Sequence, residues 1–351
     1  MLSVSVLELA AERALRGLID DYPPWGELWV VDLTGSDDLD VQAIERVVAA
    51  ADELPGIVVG VAEEPVPSRL APVLEALSFT LAPSGPGSTW VAVDDTSACL
   101  AEIEATVTRS PLACQTLRTL LGLTDVLSAR DGVVAESLAY STLLAGPEFA
   151  AWLAARPSGA VAPDPSPAVR VSRLPGDVLE VTLDRPARHN AFSAQMRDEL
   201  LAALDVAKLD PTVVEVVLRG AGPSFCAGGD LAEFGTTPDP ATAHLVRVAR
   251  SAGLAVNGLV VDRLGARVRV ELHGACIGAG IEIPAFAETV VATPDAWFRL
   301  PELSMGLVPG AGGTVSIPRR IGRWRTAWLL LTGRDLAAAT ALEWGLVDVV
   351  G

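Results

Sequence analysis

Apolar and polar positions alternate along this chain with two distinct periods. Val178–Leu183 alternates apolar and polar residues, the mark of a half-buried strand. Val213–Leu218 is a valine-rich run that suits a strand buried on both faces. Between them, from about Ser193 to Lys208, the spacing lengthens to that of a helix, with Ser193 as N-cap ahead of Gln195 and Met196. A glycine turn, a helix over about 240–258, a strand at Val268–Leu272 and a further glycine-rich turn continue the series. Strands alternating with helices in this way predict an α/β fold with helices packed on sheet faces.

The first half holds a fainter version of the same pattern. Leu28–Leu33 predicts a strand, Val41–Leu54 a helix and Ile57–Ala62 a second strand. The segment VQAIERVVAAADELPGIVVGVA (41–62) matches AQMRDELLAALDVAKLDPTVVEVVLRGA (194–221) in order and character. An internal duplication or two generic α/β units would each give this likeness. Between the halves, RPSGAVAPDPSP (156–167) holds four prolines and little that packs, so it reads as an extended linker.

Bulk properties narrow the function. A chain of 351 residues, half of them hydrophobic, has ample core for two or three domains. No charge-free run of 18 or more apolar residues occurs, so no transmembrane helix is expected. Met1–Arg13 lacks the basic start of a signal peptide, and the four cysteines form no CxxC pair. Neither a zinc site nor a disulfide framework is expected, and a cytoplasmic protein is. A net charge of −18, with Lys208 the only lysine, repels nucleic acid and anionic membranes. A polyanionic ligand would then need a local arginine patch. Candidates are Arg185 with Arg188, and the run Arg319, Arg320, Arg323, Arg325, which would equally serve as a solvated face.

Three segments carry the chemistry: SFCAGGDL (224–231), HGACIGAGIE (273–282) and FRLPELSMGLVPGAGG (298–313). Each sets a glycine-rich turn between a strand and a helix. Small residues there let backbone amides approach a ligand oxygen with no Cβ in the way. Two such turns side by side would aim a pair of N–H donors at one carbonyl as an oxyanion hole, where losing one donor costs about 3–4 kcal/mol.

At these residues the chain resembles the crotonase (enoyl-CoA hydratase/isomerase) superfamily. DRPARHNAFS (184–193) is similar to the family's N-R-P-x-x-x-N-A-L opening, and the three glycine segments follow in order. TGRDLAAATALEWGLVDVV (332–350) is similar to its T-G-x-x-x-x-A-x-x-x-G-L-V stretch. The resemblance runs from about Val169 to the end and implies a ββα spiral core. It places the oxyanion donors at Gly229 and Ala279, where the family usually has glycine at the second. It places the hydratases' catalytic pair at Glu282 and Glu302. Contacts to coenzyme A are implied at Arg188 for a phosphate, at Ala191 and Ala227 for the adenine, and at Gly228, Asp230, Leu231 and Cys276 along the turns. It further implies an acyl-CoA thioester as substrate, no cofactor beyond that coenzyme A, a place in lipid metabolism, and a trimer, a multiple of it, or a hetero-complex.

Read from the residues alone, Glu282 would serve as an acid at a helix start and Glu302 as a turn residue facing solvent. Read as a pair, one carboxyl activates water and the other protonates Cα while the hole stabilises the thioester enolate. His189, His244 and His273 lack metal spacing, and Cys226 and Cys276 have no activating partner for a nucleophile.

Family members continue past the G-L-V stretch into a helical region that covers the active site. Here SPLACQTLRTLLGLTDVLSARDGVVAESLAYSTLLAGPEFAAWLAARP (110–157) resembles that region, with Glu136 ahead of the aromatic Tyr140 and a closing E-F-x-x-W-L-A-x-R-P. Amphipathic helices of an unrelated domain are the other reading. The expected organisation is a degenerate crotonase-like α/β unit (1–98), a helical segment (99–157), a Pro-rich linker (158–168) and a catalytic core (169–351). Leu117, Leu120, Leu121, Leu143 and Leu144 are the expected buried face of the helical segment.

Overall fold

The computed structural model of the chain describes residues 1–11, 26–36, 39–156, 166–262 and 267–351. The predicted linker lies mostly outside these. Of it, Ala168 is buried, and its carbonyl accepts from the Asp184 amide at 2.8 Å.

Two separate sheets organise the chain. The first is all parallel, with β1 (Leu2–Ser5), β2 (Leu28–Asp32), β3 (Ile57–Val61), β4 (Phe79–Leu81) and β5 (Trp90–Val91) in sequence order. Its inner strands β2 and β3 are apolar on both sides, as a parallel sheet covered on both faces requires, while the edge strand β1 alternates with serine. Trp29, Val31 and Val58 pack with residues of α1 (Val6–Ala10), α2 (Val41–Glu53) and α3 (Ala71–Ala76). Leu28, Val30, Ile57 and Val59 face a different and larger core that is continuous with the second half. The predicted strands and helix stand here within about one residue of their expected ends; β1, β4 and β5 are additions.

The second sheet runs in the order β14, β11, β9, β8, β7, β6. Its strands are β6 (Val169–Leu174), β7 (Val178–Leu183), β8 (Glu215–Gly220), β9 (Arg267–Leu272), β11 (Thr289–Ala292) and β14 (Val349–Val350). All neighbours are parallel except the β6–β7 hairpin. A small sheet joins β10 (Ala275–Ile277), β12 (Trp297–Arg299) and β13 (Leu336–Ala337). Helix α8 (Ala194–Leu209) starts where predicted, the Met196 amide donating to Ser193 Oγ at 3.2 Å. The single helix expected over 240–258 is instead two, α9 (Pro240–Ala249) and α10 (Ala252–Asp262). The break falls at Arg250, whose φ/ψ of −124°/41° is not helical, and Ser251 Oγ restarts the spiral by accepting from the Leu254 amide.

Four helices join the halves: α4 (Thr96–Arg109), α5 (Pro111–Val126), α6 (Ala129–Leu144) and α7 (Pro147–Ala154). Leu117, Leu120, Leu121 and Leu143 are buried in the large core as expected, and Leu144 packs against it half-buried. Their main partner is α12 (Gly313–Thr332), which kinks at Gly322 (φ 81°). The arginine run on this helix is no phosphate patch. Arg319 donates to the Leu127 carbonyl, Arg320 to those of Ala285 and Ala287, and Arg323 to that of Glu75, while Arg325 lies over the rings of Trp90 and Trp344. These side chains fasten the pieces of the molecule together. Among the described residues no helix is long and apolar enough to cross a membrane.

Candidate active site

The two glycine turns lie side by side because their backbones bond to each other. Cys226 and Cys276 form a parallel bridge, with Cys226 N donating to the Ala275 carbonyl (3.2 Å) and Ile277 N to the Cys226 carbonyl (3.0 Å). Beyond the bridge the chains touch. A Cβ on Gly228 would sit 3.2 Å from the Ile277 oxygen, and one on Gly280 only 2.2 Å from the Cys226 oxygen. The first turn is also tied to the opening motif, since Phe192 N donates to the Gly228 carbonyl and Asp230 N to that of Phe192. Among the described residues, neither the Gly229 amide nor the Ala279 amide has an acceptor. Gly229 is half-buried beside the ring of Phe234, which packs with Phe149 and Trp152 of α7.

Both predicted carboxyls converge on the second turn. Glu282 closes α11 (Ala279–Glu282), and Glu302 opens a short 3-10 helix (Glu302–Met305). A Cβ on Gly278 would lie 2.7 Å from Glu302 Oε1 and 3.7 Å from Glu282 Oε1, so only glycine leaves this space open. Neither side chain faces solvent, Glu302 being 6% and Glu282 3% exposed. Glu282 Oε2 accepts from the amides of Ala311 (2.8 Å) and Gly313 (2.9 Å) at the start of α12. Glu302 Oε2 is buried without a partner among the described residues. Burial holds the Glu282 carboxyl above the usual range, partly offset by those amides. Burial, then the nearby Glu282 charge, holds Glu302 well above it. Near neutrality Glu302 therefore keeps its proton while Glu282, raised less, is divided between its two states, so the pair can hold one acid and one base.

The residues expected to meet coenzyme A lie at the outer side of the first turn. Arg188 is 43% exposed at its side chain and reaches Asp230 at 3.5 Å. Asp230 is chiefly a local pin. Arg185, itself buried, donates to it at 2.9 Å, and it caps the following turn through the Ala232 amide. Burial alone would raise the Asp230 carboxyl, but the Arg185 guanidinium and the Ala232 amide outweigh it and hold it low. Of the predicted arginine pair, then, Arg185 is committed inside and Arg188 faces out. Ala191 and Ala227 sit beside this pair, half-buried, with Ala227 N donating to the His189 carbonyl. Leu231 is exposed. Cys276 is fully buried behind the turn, so its contribution is the bridge to Cys226 and not a surface for a ligand. Burial pushes the Cys226 thiol up to about 12 and Cys276 also upward, which leaves neither as a nucleophile. His273 Nε2 lies 2.9 Å from the Gly222 carbonyl.

A third buried carboxyl, for which the sequence suggested no chemistry, stands behind the pair. Glu136 of α6 accepts at Oε1 from the Gly312 amide (2.7 Å). At Oε2 it accepts from the Thr314 amide (2.8 Å) and hydroxyl (2.7 Å). Its only sequence signal was the resemblance of residues 110–157 to the family's helical region.

An α/β core of strand–turn–helix units, with two glycine turns bonded side by side, is of the crotonase type. The profile of the family described as Enoyl-CoA hydratase/isomerase matches residues 173–351. The chain belongs to this family. It is 34% identical over 174 residues to mevalonyl-coenzyme A hydratase SIDH of Beauveria bassiana, covering 49% of this chain and 62% of that protein. It is likewise 34% identical over 178 residues to 1,2-epoxyphenylacetyl-CoA isomerase of Escherichia coli, covering 50% and 67%. A solved enoyl-CoA hydratase of Mycobacterium smegmatis aligns at 33% identity over 53% of this chain and 70% of that one, with a TM-score of 0.48. The chain thus spans less than two thirds of the Beauveria protein.

Proposed function

We propose that this chain is an acyl-CoA enzyme that stabilises a thioester enolate, and that its reaction is syn hydration of a 2-enoyl-CoA. The observation that carries the reading is the convergence of two buried, protonation-prone carboxyls, Glu282 and Glu302, on Gly278, next to the unengaged Ala279 amide. The thioester oxygen accepts from the Gly229 and Ala279 amides, so charge developing on it is stabilised. One carboxyl takes a proton from water as it attacks Cβ, and the other delivers a proton to Cα on the same face. Arg188, exposed beside Ala191 and Ala227, meets a phosphate of the coenzyme, which the rest of an acidic surface would repel.

The same pair, passing a proton between carbons without water, would shift a double bond, and one relative is named an isomerase. The purified chain incubated with a panel of 2-enoyl- and 3-enoyl-CoAs separates the two. Hydration consumes the conjugated thioester absorbance and yields a hydroxyl product, whereas isomerisation of a 3-enoyl substrate generates that absorbance. Glu302→Gln keeps the shape and removes proton transfer, so kcat should fall by about 10²–10⁴ with KM little changed. Unaltered turnover in this variant removes Glu302 from the reaction.

A further inference from the structure

Glu136 and Glu282 hold one turn from two sides. Along Ala311-Gly312-Gly313-Thr314 the amides alternate, the first and third donating to Glu282 and the second and fourth to Glu136. Glu136 is 1% exposed, Thr314 is fully buried, and no water or basic side chain is needed to complete the carboxylate's bonds, since the Thr314 hydroxyl supplies a third donor. Two carboxyls bound to alternate amides of a four-residue turn are close enough that ionising one opposes ionising the other.

Resting on the assignment of Glu282 to acid–base chemistry, we propose that Glu136 is the positioning residue of the pair. It locks the turn that orients Glu282, and the two carboxyls resist ionising together. The groups around it are few. On α6 they are Tyr140 and Ser137, on α11 Glu282, on the 302–305 turn Glu302, and on α12 Thr314; α9 adds His244 and Arg247. Arg247 is spent elsewhere, lying over the Tyr140 ring at 4.1 Å and donating to Ser137 and Ser141. His244 is held at Ser137 Oγ. Among the described residues only Thr314 of these bonds Glu136; Arg247 feels its charge without bonding it, and the charge that opposes it most is Glu282. Burial first, and the Glu282 charge second, raise the Glu136 carboxyl, with the three donors opposing.

The experiment titrates the carboxyl carbons of the full chain, labelled with ¹³C at glutamate Cδ, by NMR. It compares wild type, Glu136→Gln, Glu136→Asp and Thr314→Val, with Glu282→Gln assigning the resonance. Removing the charge at 136 should lower the titration of Glu282 by about one pH unit or more. Thr314→Val, which keeps all four backbone bonds and the side-chain shape, should move it the same way by less. Glu136→Asp keeps the charge and should restore the wild-type value in part. With an enoyl-CoA that the wild type turns over, the limb of the kcat profile due to Glu282 should move with the resonance while KM stays constant. An unmoved Glu282 titration in both Glu136→Gln and Thr314→Val overturns the proposal, and so does a kcat loss shared equally by Gln and Asp with an unshifted profile. If the resonance shifts but no enoyl-CoA is turned over by wild type, the coupling stands and the proposed reaction fails.

Discussion

Glu302 places a carboxylate oxygen in the interior with no partner among the described residues, and its ordinary carboxyl value of 4.5 is raised well above that by burial. A carboxyl raised on folding binds its proton more tightly in the native state than in the unfolded chain. Its contribution to stability is therefore full below about 4.5 and is lost as pH rises through the folded value. Glu282 and Glu136 are shifted in the same direction, so the losses accumulate over the range in which most proteins are at their best. Thermal melts across pH should show Tm falling from mildly acidic pH upward, and Glu302→Gln, which cannot ionise, should flatten that slope. A wild-type Tm that rises from pH 5 to pH 8 would contradict the shifts. Arg188 belongs to the opposite regime, exposed and open to salt. Arg188→Ala should weaken coenzyme A binding several-fold at low ionic strength and progressively less at high. Calorimetric titrations at two salt concentrations check this, and equal affinity in both proteins at both salts excludes the contact.

At the scale of elements, the turns do more than the helices they precede. Gly278 has φ 50° and ψ −120°, a conformation that a side chain resists, and it sits where a methyl would strike Glu302. Gly278→Ala should give a folded protein, by circular dichroism, that has lost turnover by at least about 10²-fold, since both carboxyls and the neighbouring Ala279 amide shift together. Retained activity would mean that the reacting atoms lie elsewhere. Such turns were legible in the sequence because glycine and its small neighbours announce them, and the N-cap Ser193 and the valine-rich strands were legible for the same local reasons. Strand β6 was not, since its alternation Val169-Arg170-Val171-Ser172 breaks off at Arg173 and four of its six residues are exposed. The break at Arg250 was hidden because apolar spacing continues across it. Glu136 could not be read locally at all, for its partners lie 176 and 178 positions away. The arginines of α12 carried a charge signal that says nothing of whether the guanidinium meets solvent, a carbonyl or a ring.

For the whole molecule, the large core that runs from β2 and β3 through α4–α7 into the second sheet removes any clean seam between the halves. Leu117, Leu120, Leu121 and Leu143 are each 4% exposed or less. At about 1.5–3 kcal/mol per buried leucine, uncovering them together removes as much as a typical domain's ~5–15 kcal/mol of stability. A fragment of residues 165–351 should therefore aggregate or melt without cooperativity. Supplying residues 105–157, as a second chain or fused through a flexible linker, should restore a cooperative transition, and with it the Glu136 contacts. A fragment that melts cooperatively and turns over an enoyl-CoA unaided would show the first half to be dispensable.

The pairing of Glu136 with Gly312 and Thr314 also bears on how the chain is made. A ribosome releases α6 long before the turn that its carboxylate is to hold, so for the time needed to synthesise more than 170 residues that charge has no counterpart and the leucine face beside it has only β2 and β3. Closing so distant a contact is slow, because loop entropy is lost before any bond compensates. The nascent protein must therefore wait half-assembled, in the form most apt to be captured by a chaperone or by its neighbours on the polysome.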